Sequence, residues 1–373
     1  MNKSYSIILL CLILNIAASA QVFTNKEVGK KNAELADSLK KSDYPYSLPI
    51  WGAKATKAGY NLPYSAGISV QYFQQTSALI IENLQVGFNN GKMYDMDELI
   101  RFDDAVASAN AFTFRPDIWL FPFLNVYGIF GTASASTQVD FGVWIPDSTS
   151  TPKQIVSAGT VVEFQTTTFG LGMTPTIGVG GGFLALDMNV TWTDVPQLSR
   201  PAMTFVFGPR LGKNFRLRNS EQSVAIWAGG FRVKISSETN GSIALSEVFS
   251  ADEINTKIDA GFESIGNSQQ QVDAWWNGLS NAQQNNPVNE AKYNAANASL
   301  DKAAEILTAA DAAASTIESS TVQYAMDKRP KDMWNFIVGG QYQYNKHWML
   351  RGEFGFLGSR TQGMIGLQYR FGL

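Results

Sequence analysis

The sequence predicts an all-β chain: an antiparallel transmembrane β-barrel of ten strands, or of twelve, with an α-helical hairpin inserted between two of them. Three observations carry that prediction. Segments with apolar and polar residues at alternate positions recur along most of the chain. The last of them places Ile365, Leu367, Tyr369 and Phe371 on one parity and Gly366, Gln368, Arg370 and Gly372 on the other, as a strand between lipid and water requires. One Ala-rich stretch, between residues 244 and 330, abandons the alternation altogether.

The elements follow in order. Residues 1 to 20 read as a signal peptide: Lys3 gives a short basic region, an apolar run extends from Ile7 to Ile16, and Ala18 and Ala20 occupy the small-residue cleavage positions, so that Gln21 begins the mature chain. That run is shorter than the roughly 20 residues a membrane helix needs, and no later segment is apolar for as long. Cys11, the single cysteine, departs with the signal, and Leu10 precedes it where a lipid-anchor motif needs a small residue. A disulfide framework and a thiolate metal site are therefore not expected. Residues 21 to 62 are polar and mixed, and read as a partly helical periplasmic lead-in.

The first part of the barrel spans residues 63 to 243, and its strongest segments are 64 to 75, 106 to 114, 119 to 133, 160 to 172, 176 to 192, 201 to 211 and 222 to 237. Arg115-Pro116-Asp117 reads as the turn between the second and third, because proline in a turn forfeits no ladder bond. Thr174-Pro175 reads in the same way between the fourth and fifth. In the last of these segments Trp227, Phe231, Val233 and Ile235 are expected on lipid, with Arg232 and Lys234 facing inward. Residues 331 to 373 supply three more strands, 333 to 344, 348 to 357 and 361 to 373, making ten. Weaker segments at 79 to 89 and 136 to 145 either raise the count to twelve or extend barrel strands into external ribbons.

Residues 244 to 330 read as the helical hairpin. Ser250 and Glu253 form a capping box that opens a helix to about Asn277, Pro287 interrupts, and an Ala-rich helix runs from Asn289 to Tyr324. Ile254, Ile258, Phe262 and Ile265 form a stripe on the first helix that matches Leu300, Ala303, Ile306 and Leu307 on the second. An even strand count puts both termini in the periplasm. Counting back three strands from the C-terminus then places the hairpin outside the cell, where loops are long and bind.

The alternating aromatic C-terminal segment resembles the last strand of Gram-negative outer-membrane β-barrel proteins, and the resemblance covers residues 60 to 240 and 332 to 373. It implies location in the cell outer membrane, outer-membrane lipid around the barrel, and the outer-membrane insertion machinery as a partner that reads this strand. An extracellular ligand at the loops is a further expectation.

Composition narrows the function. The net charge is −3 without a long basic run, so nucleic acid is not an expected partner. No cofactor, metal site or catalytic residue is expected, and the chain is not read as an enzyme. His347, the only histidine, lies in a short turn with no serine nearby. Asp252 and Glu253 suit the first turn of a helix, and no helix follows Gly178-Val179-Gly180-Gly181-Gly182, as a phosphate cradle would need. By parity the lumen is lined by Glu163, Asp187, Arg210, Arg232, Lys234, Arg351, Glu353 and Arg370, with Gln341, Gln343 and Gln368 among them. These charges either pair across the lumen and fill it or line a wet pore. The first reading of function is a passive channel or transporter for small solutes. The alternative is a non-conducting surface protein that binds a partner or envelope component through its helical insert and loops.

Overall fold

In the computed structural model, which describes residues 30–146, 152–196, 198, 200–218, 221–235 and 238–373, alternation along the strands becomes a closed sheet. The cleavage site and signal peptide expected over residues 1–20 lie outside the described residues. In chain order the strands are β1 (Ala66–Phe88), β2 (Tyr94–Asp95), β3 (Ile100–Phe121), β4 (Leu124–Pro146), β5 (Pro152–Val179), β6 (Gly182–Asp194), β7 (Ala202–Arg216), β8 (Ser223–Ile235), β9 (Glu238–Ala244), β10 (Thr321–Pro330), β11 (Trp334–Gln343), β12 (Trp348–Phe356) and β13 (Arg360–Phe371). The helices are α1 (Lys30–Lys40), α2 (Gly52–Lys57), α3 (Leu245–Val248), α4 (Ala251–Asn277), α5 (Asn281–Gln284) and α6 (Pro287–Ala314). Pairing runs antiparallel from β1 through β3, β4, β5, β6, β7, β8, β11 and β12 to β13. β13 then returns to β1, from Ala66↔Phe371 to Ser77↔Arg360, and closes a barrel of ten strands. Closure leaves this circuit with no unpaired edge, which is what a sheet in lipid requires.

The segments 79 to 89 and 136 to 145 add no strands. They are the far ends of β1 and β4, which with β3 and β5 rise beyond the barrel as a tall wall. The upper part of β1 pairs with β10, and β10 with β9, so this wall continues past the closed circuit. Two expected turns lie elsewhere. β3 passes straight through Arg115-Pro116-Asp117 and turns only between Phe121 and Leu124; its ladder to β4 skips Arg115 and Pro116, where the missing amide would have donated. β5 likewise passes through Thr174-Pro175 and turns at Gly180-Gly181, whose φ values of 57° and 90° form the two-residue hairpin that favours glycine.

The hairpin insert is α4 and α6 joined through α5. Ser250 caps α4 with the reciprocal Ser250–Glu253 bonds of a capping box, and Asn286 caps α6, with Pro287 in its first turn. The second helix stops at Ala314 rather than Tyr324. Residues Thr321–Pro330 are β10 instead, because β1 and β9 offer free edges on both sides of it, and ladder pairing outweighs helix propensity. Val272, Ala296, Leu300, Ala303 and Ile306 of the hairpin pack with Leu84, Met96 and Leu99 of the wall. The helices therefore lie against the inner face of the wall and above the barrel.

At the opposite end, the segment following α1 runs under the barrel. Leu48 donates its amide to the Leu373 carbonyl at 3.1 Å and Ile50 to that of Leu120 at 2.9 Å, while Trp51 packs its ring on Phe121 and Phe123. Asn61, Leu62 and Pro63 reach the turn regions of β7–β8 and β11–β12, sharing a small gap with Arg216, Glu221 and Lys346.

Candidate functional site

Along β4 one parity faces inward from end to end, yet its chemistry inverts. Near the terminal end the inward residues are Asn125 and Tyr127, and Phe130 stands outside, half exposed. Beyond the belt the inward residues are Thr137, Val139, Phe141 and Val143, while Ser134, Ser136, Gln138 and Asp140 hold the outer side. β5 repeats the pattern, with Phe169, Leu171 and Met173 exposed outside near the middle and Val162 and Phe164 turned inward above. On β5 the outer apolar run from Phe169 to Val179 covers eleven residues, ten steps along the strand. At a rise of about 3.4 Å per residue and a tilt near 45°, that is roughly 24 Å along the membrane normal, the height of a barrel's lipid belt.

Inside the belt the lumen is crossed by charges. Arg210 lies between two carboxylates: its Nη1 is 3.1 Å from Asp187, and its Nε donates to Glu353 at 2.7 Å. Tyr127 donates its hydroxyl to Asp187, as does Thr174 at 2.9 Å, and Arg115 stacks its guanidinium 3.3 Å from the Tyr127 ring centroid. Glu353 also accepts from Trp227 Nε1 at 2.9 Å and from Arg351 at 3.0 Å. A second group joins Arg370 to Asp117 at 2.9 Å, where Asn125 and Gln368 also donate to Asp117 at 2.7 and 2.6 Å. Arg370 donates its Nε to the Tyr64 carbonyl, tying the lead-in to the lumen wall. Side chains leave a void of about 170 Å³ here, with Pro63 part of its lining. Gly339 has a specific use: a Cβ there would sit 2.5 Å from Trp227 Nε1, so glycine is what admits the indole.

Above this network lies a layer of buried polar side chains: Ser77, Asn335, Arg360 and Gln362. Arg360 donates one bond, to the Asp332 carbonyl at 3.1 Å, and its Nε and Nη1 have no hydrogen-bond partner among the described residues. Above that opens an apolar chamber of about 550 Å³. β1 and β3 each carry a bulge that keeps the chamber apolar. The irregularity between Glu82 and Gln85, with Asn83 at φ 54°, switches the inward set from Leu79 and Ile81 to Leu84, Val86 and Phe88. The shift between Phe102 and Asp104 does the same for Ile100 and Phe102. Ile254 and Ile258 of α4 and Ala303, Ile306 and Ala310 of α6 form the roof.

Five residues expected in the lumen are there: Asp187, Arg210, Arg351, Glu353 and Arg370. Gln341, Gln343 and Gln368 join them. Three are not. Arg232 and Lys234 lie on the outer face, because Trp227 points inward to Glu353 and fixes the parity of all of β8; a one-residue slip exchanges the faces of a strand. They pair across from Phe207 and Phe205 near the helix-bearing rim of the belt. There a basic residue on the lipid side costs only about 0 to 1 kcal/mol and its head can reach the interface. Glu163 is also outside, opposite Ser136 on the polar wall above the belt. Arg115, Asp117, Tyr127 and Trp227 are lumen residues that the turn and lipid assignments concealed. His347 belongs to the terminal end, where its Nδ1 is 2.8 Å from the Arg370 carbonyl and its ring packs against Tyr64 and Tyr369.

No family model matches this sequence, and no curated protein matches it. Among solved structures it is similar to the beta domain of the Bordetella autotransporter Brka (10% identity over 82% of this chain and 100% of that one, TM-score 0.29). It is similar also to the translocator domain of the autotransporter NalP from Neisseria meningitidis (8%, 91% and 93%, 0.30) and to the transport unit of the autotransporter AIDA-I from Escherichia coli (10%, 91% and 97%, 0.27). Scores this low leave the architecture resting on the strand pairing and on the chemistry of the two sheet faces. By its closed ten-strand sheet, its apolar outer belt and its charged interior, the chain is an outer-membrane β-barrel.

Proposed function

We propose that this barrel binds a small hydrophobic molecule in the chamber under its helical hairpin, on the extracellular side, above a lumen that the cross-paired charges keep closed. One observation carries the reading: the wall strands invert their polarity where they leave the lipid belt, so that apolar side chains enclose a space instead of facing a bilayer. A chamber of 550 Å³ lies in the size range of small-molecule sites, about 300 to 1,000 Å³. Wall strands serving only to hold the helices would pack them without such a space, since protein interiors are close-packed. Between the channel and the non-conducting surface protein, the lumen favours the second. Arg210, Asp187 and Glu353 span it, and the lead-in lies across its terminal mouth. The binding role is non-catalytic.

The test uses the mature protein in lipid nanodiscs, titrated with a neutral fluorescent alkyl probe. Saturable binding with one probe per barrel is expected, weakened at least tenfold by Ala107→Trp or Ala310→Trp, each of which fills part of the chamber. Binding equal in wild type and both variants sinks the reading, as do steady single-channel openings of the intact protein in a planar bilayer.

A further inference from the structure

Among the described residues, the chamber wall holds two ammonium groups and no carboxylate. Its charged lining residues are Lys257, on α4, and Lys328, on β10. Lys257 donates its ammonium to the Ser157 carbonyl at 3.0 Å, so it already has a partner. Lys328 does not: its ammonium is 5.9 Å from the Tyr324 ring centroid, and among the described residues no carboxylate pairs with it. It shares its inward face with Val322, Tyr324 and Met326, whereas Asp327 and Arg329 on the other face bond to Asn83 and Glu82. A half-buried cation without a counter-charge carries a desolvation cost, and that partial burial lowers the pKa of this lysine from its ordinary value. A ring face relieves part of that cost but neutralises nothing.

Position adds direction. Lys328 pairs with Ile81, near the barrel end of the β1–β10 ladder, whereas Val322 pairs with Phe88 at the far end, beneath α3 and α4. Six residues at about 3.3 Å each put roughly 20 Å of apolar wall between the two levels. Arg360 is a second cation nearby, but it is held at Asp332, belongs to the polar layer below and does not line the chamber.

We propose that the occupant is a single-chain amphiphile with a carboxylate head, its alkyl chain lying along the wall under the helices and its carboxylate on Lys328 beside Tyr324. The inference rests on the binding function proposed above and names its substrate class. Lys328 acts as the counter-charge that selects an acid over an uncharged chain of equal length, and Lys257, already bonded, contributes little to that choice.

The experiment compares palmitate, its methyl ester and hexadecylphosphate as competitors of the neutral probe, for wild type, Lys328→Met and Lys257→Met in nanodiscs. Palmitate is expected to compete at least tenfold better than the ester in wild type and in Lys257→Met, and no better than the ester in Lys328→Met, which still binds the ester. Lys328→Arg keeps a charge and should retain the preference for palmitate, separating charge from shape. Equal competition by palmitate and ester in wild type overturns the proposal, as does a preference that survives in Lys328→Met. Hexadecylphosphate competing better than palmitate overturns the carboxylate assignment in favour of a phosphate head. Failure of every chain to compete, with no saturable probe binding, removes the binding function itself, a result distinguishable from loss of the preference alone.

Discussion

Replacing Arg210 by Met removes the cation that two buried carboxylates share. The Arg210 and Asp187 side chains are 7% and 9% exposed, and Glu353 is 8% exposed, so water cannot take over the solvation of the stranded charges. Removing one partner of a buried pair costs about 3 to 5 kcal/mol, mostly as desolvation of what is left unpaired. The neighbouring Arg351 offers an internal comparison. It is 28% exposed, and without it Glu353 keeps both Arg210 and Trp227, so Arg351→Met should cost about 1 kcal/mol. Urea unfolding of the refolded barrel, followed by tryptophan fluorescence and by gel mobility without boiling, measures both. Combining Arg210→Met with Asp187→Asn and Glu353→Gln removes the stranded charges and should recover at least about 2 kcal/mol, because residues of one network do not add. If Arg210→Met destabilises no more than Arg351→Met, or the triple variant recovers nothing, the lumen is hydrated and the account of a closed core is wrong.

Other outcomes follow from the same contacts. Gly339→Ala places a methyl against the Trp227 indole and should cost about 1 to 3 kcal/mol in the same assay, against near zero for Gly363→Ala, where a Cβ meets nothing within 4 Å. Leu300→Ala, in the helix–wall interface with 1% exposure, should cost about 2 to 5 kcal/mol of hairpin docking, read by hydrogen exchange in α4 and α6 while exchange in β11 to β13 stays unchanged. Ser250→Ala removes one half of the capping box and should speed exchange at the start of α4, at a cost of about 1 kcal/mol. Burial, with Tyr46 beside it, holds the Tyr44 hydroxyl neutral and pushes its pKa up to about 12 from 10.0, while that hydroxyl donates to the Leu48 carbonyl. The fold binds this proton more tightly than the unfolded chain does. Its contribution is therefore complete below pH 10 and lost as pH rises from 10 to 12. A spin label at Ser47→Cys should gain mobility across that window, and Tyr44→Phe should abolish the transition.

The barrel was legible wherever a strand carried one unambiguous clue to its faces. β6, β7 and β13 have mostly large apolar side chains on one parity and mostly polar, charged or small ones on the other, and their faces read correctly. β8 did not, because Trp227 is a large aromatic that serves the lumen. Its indole N–H needs a buried acceptor, and Glu353, which supplies one, is more than a hundred residues away in sequence. Pro116 and Pro175 concealed the continuity of β3 and β5, since local turn chemistry is visible in a sequence and tolerance of a missing ladder bond is not. Counting parity through Pro116 would have recovered Arg115, Asp117 and Trp119 from the outward Phe112 and Phe114. The chamber had a sequence signal as well. Val139, Phe141 and Val143 share the parity of Asn125 and Tyr127, and that reversal of polarity along one strand marks where lipid ends. What enclosed the space was not legible, because the strand character of residues 321–330 and the seating of the hairpin depend on partners from both ends of the chain.

The most direct test is a crystal structure of the mature protein grown with a terminally brominated hexadecanoic acid, with anomalous data collected at the bromine edge. The account predicts one bromine peak inside the wall, beneath Ile254, Ile258 and Ala310, with carboxylate density at Lys328. Bromine on the outer belt alone, or a chamber collapsed onto its own side chains, would contradict it.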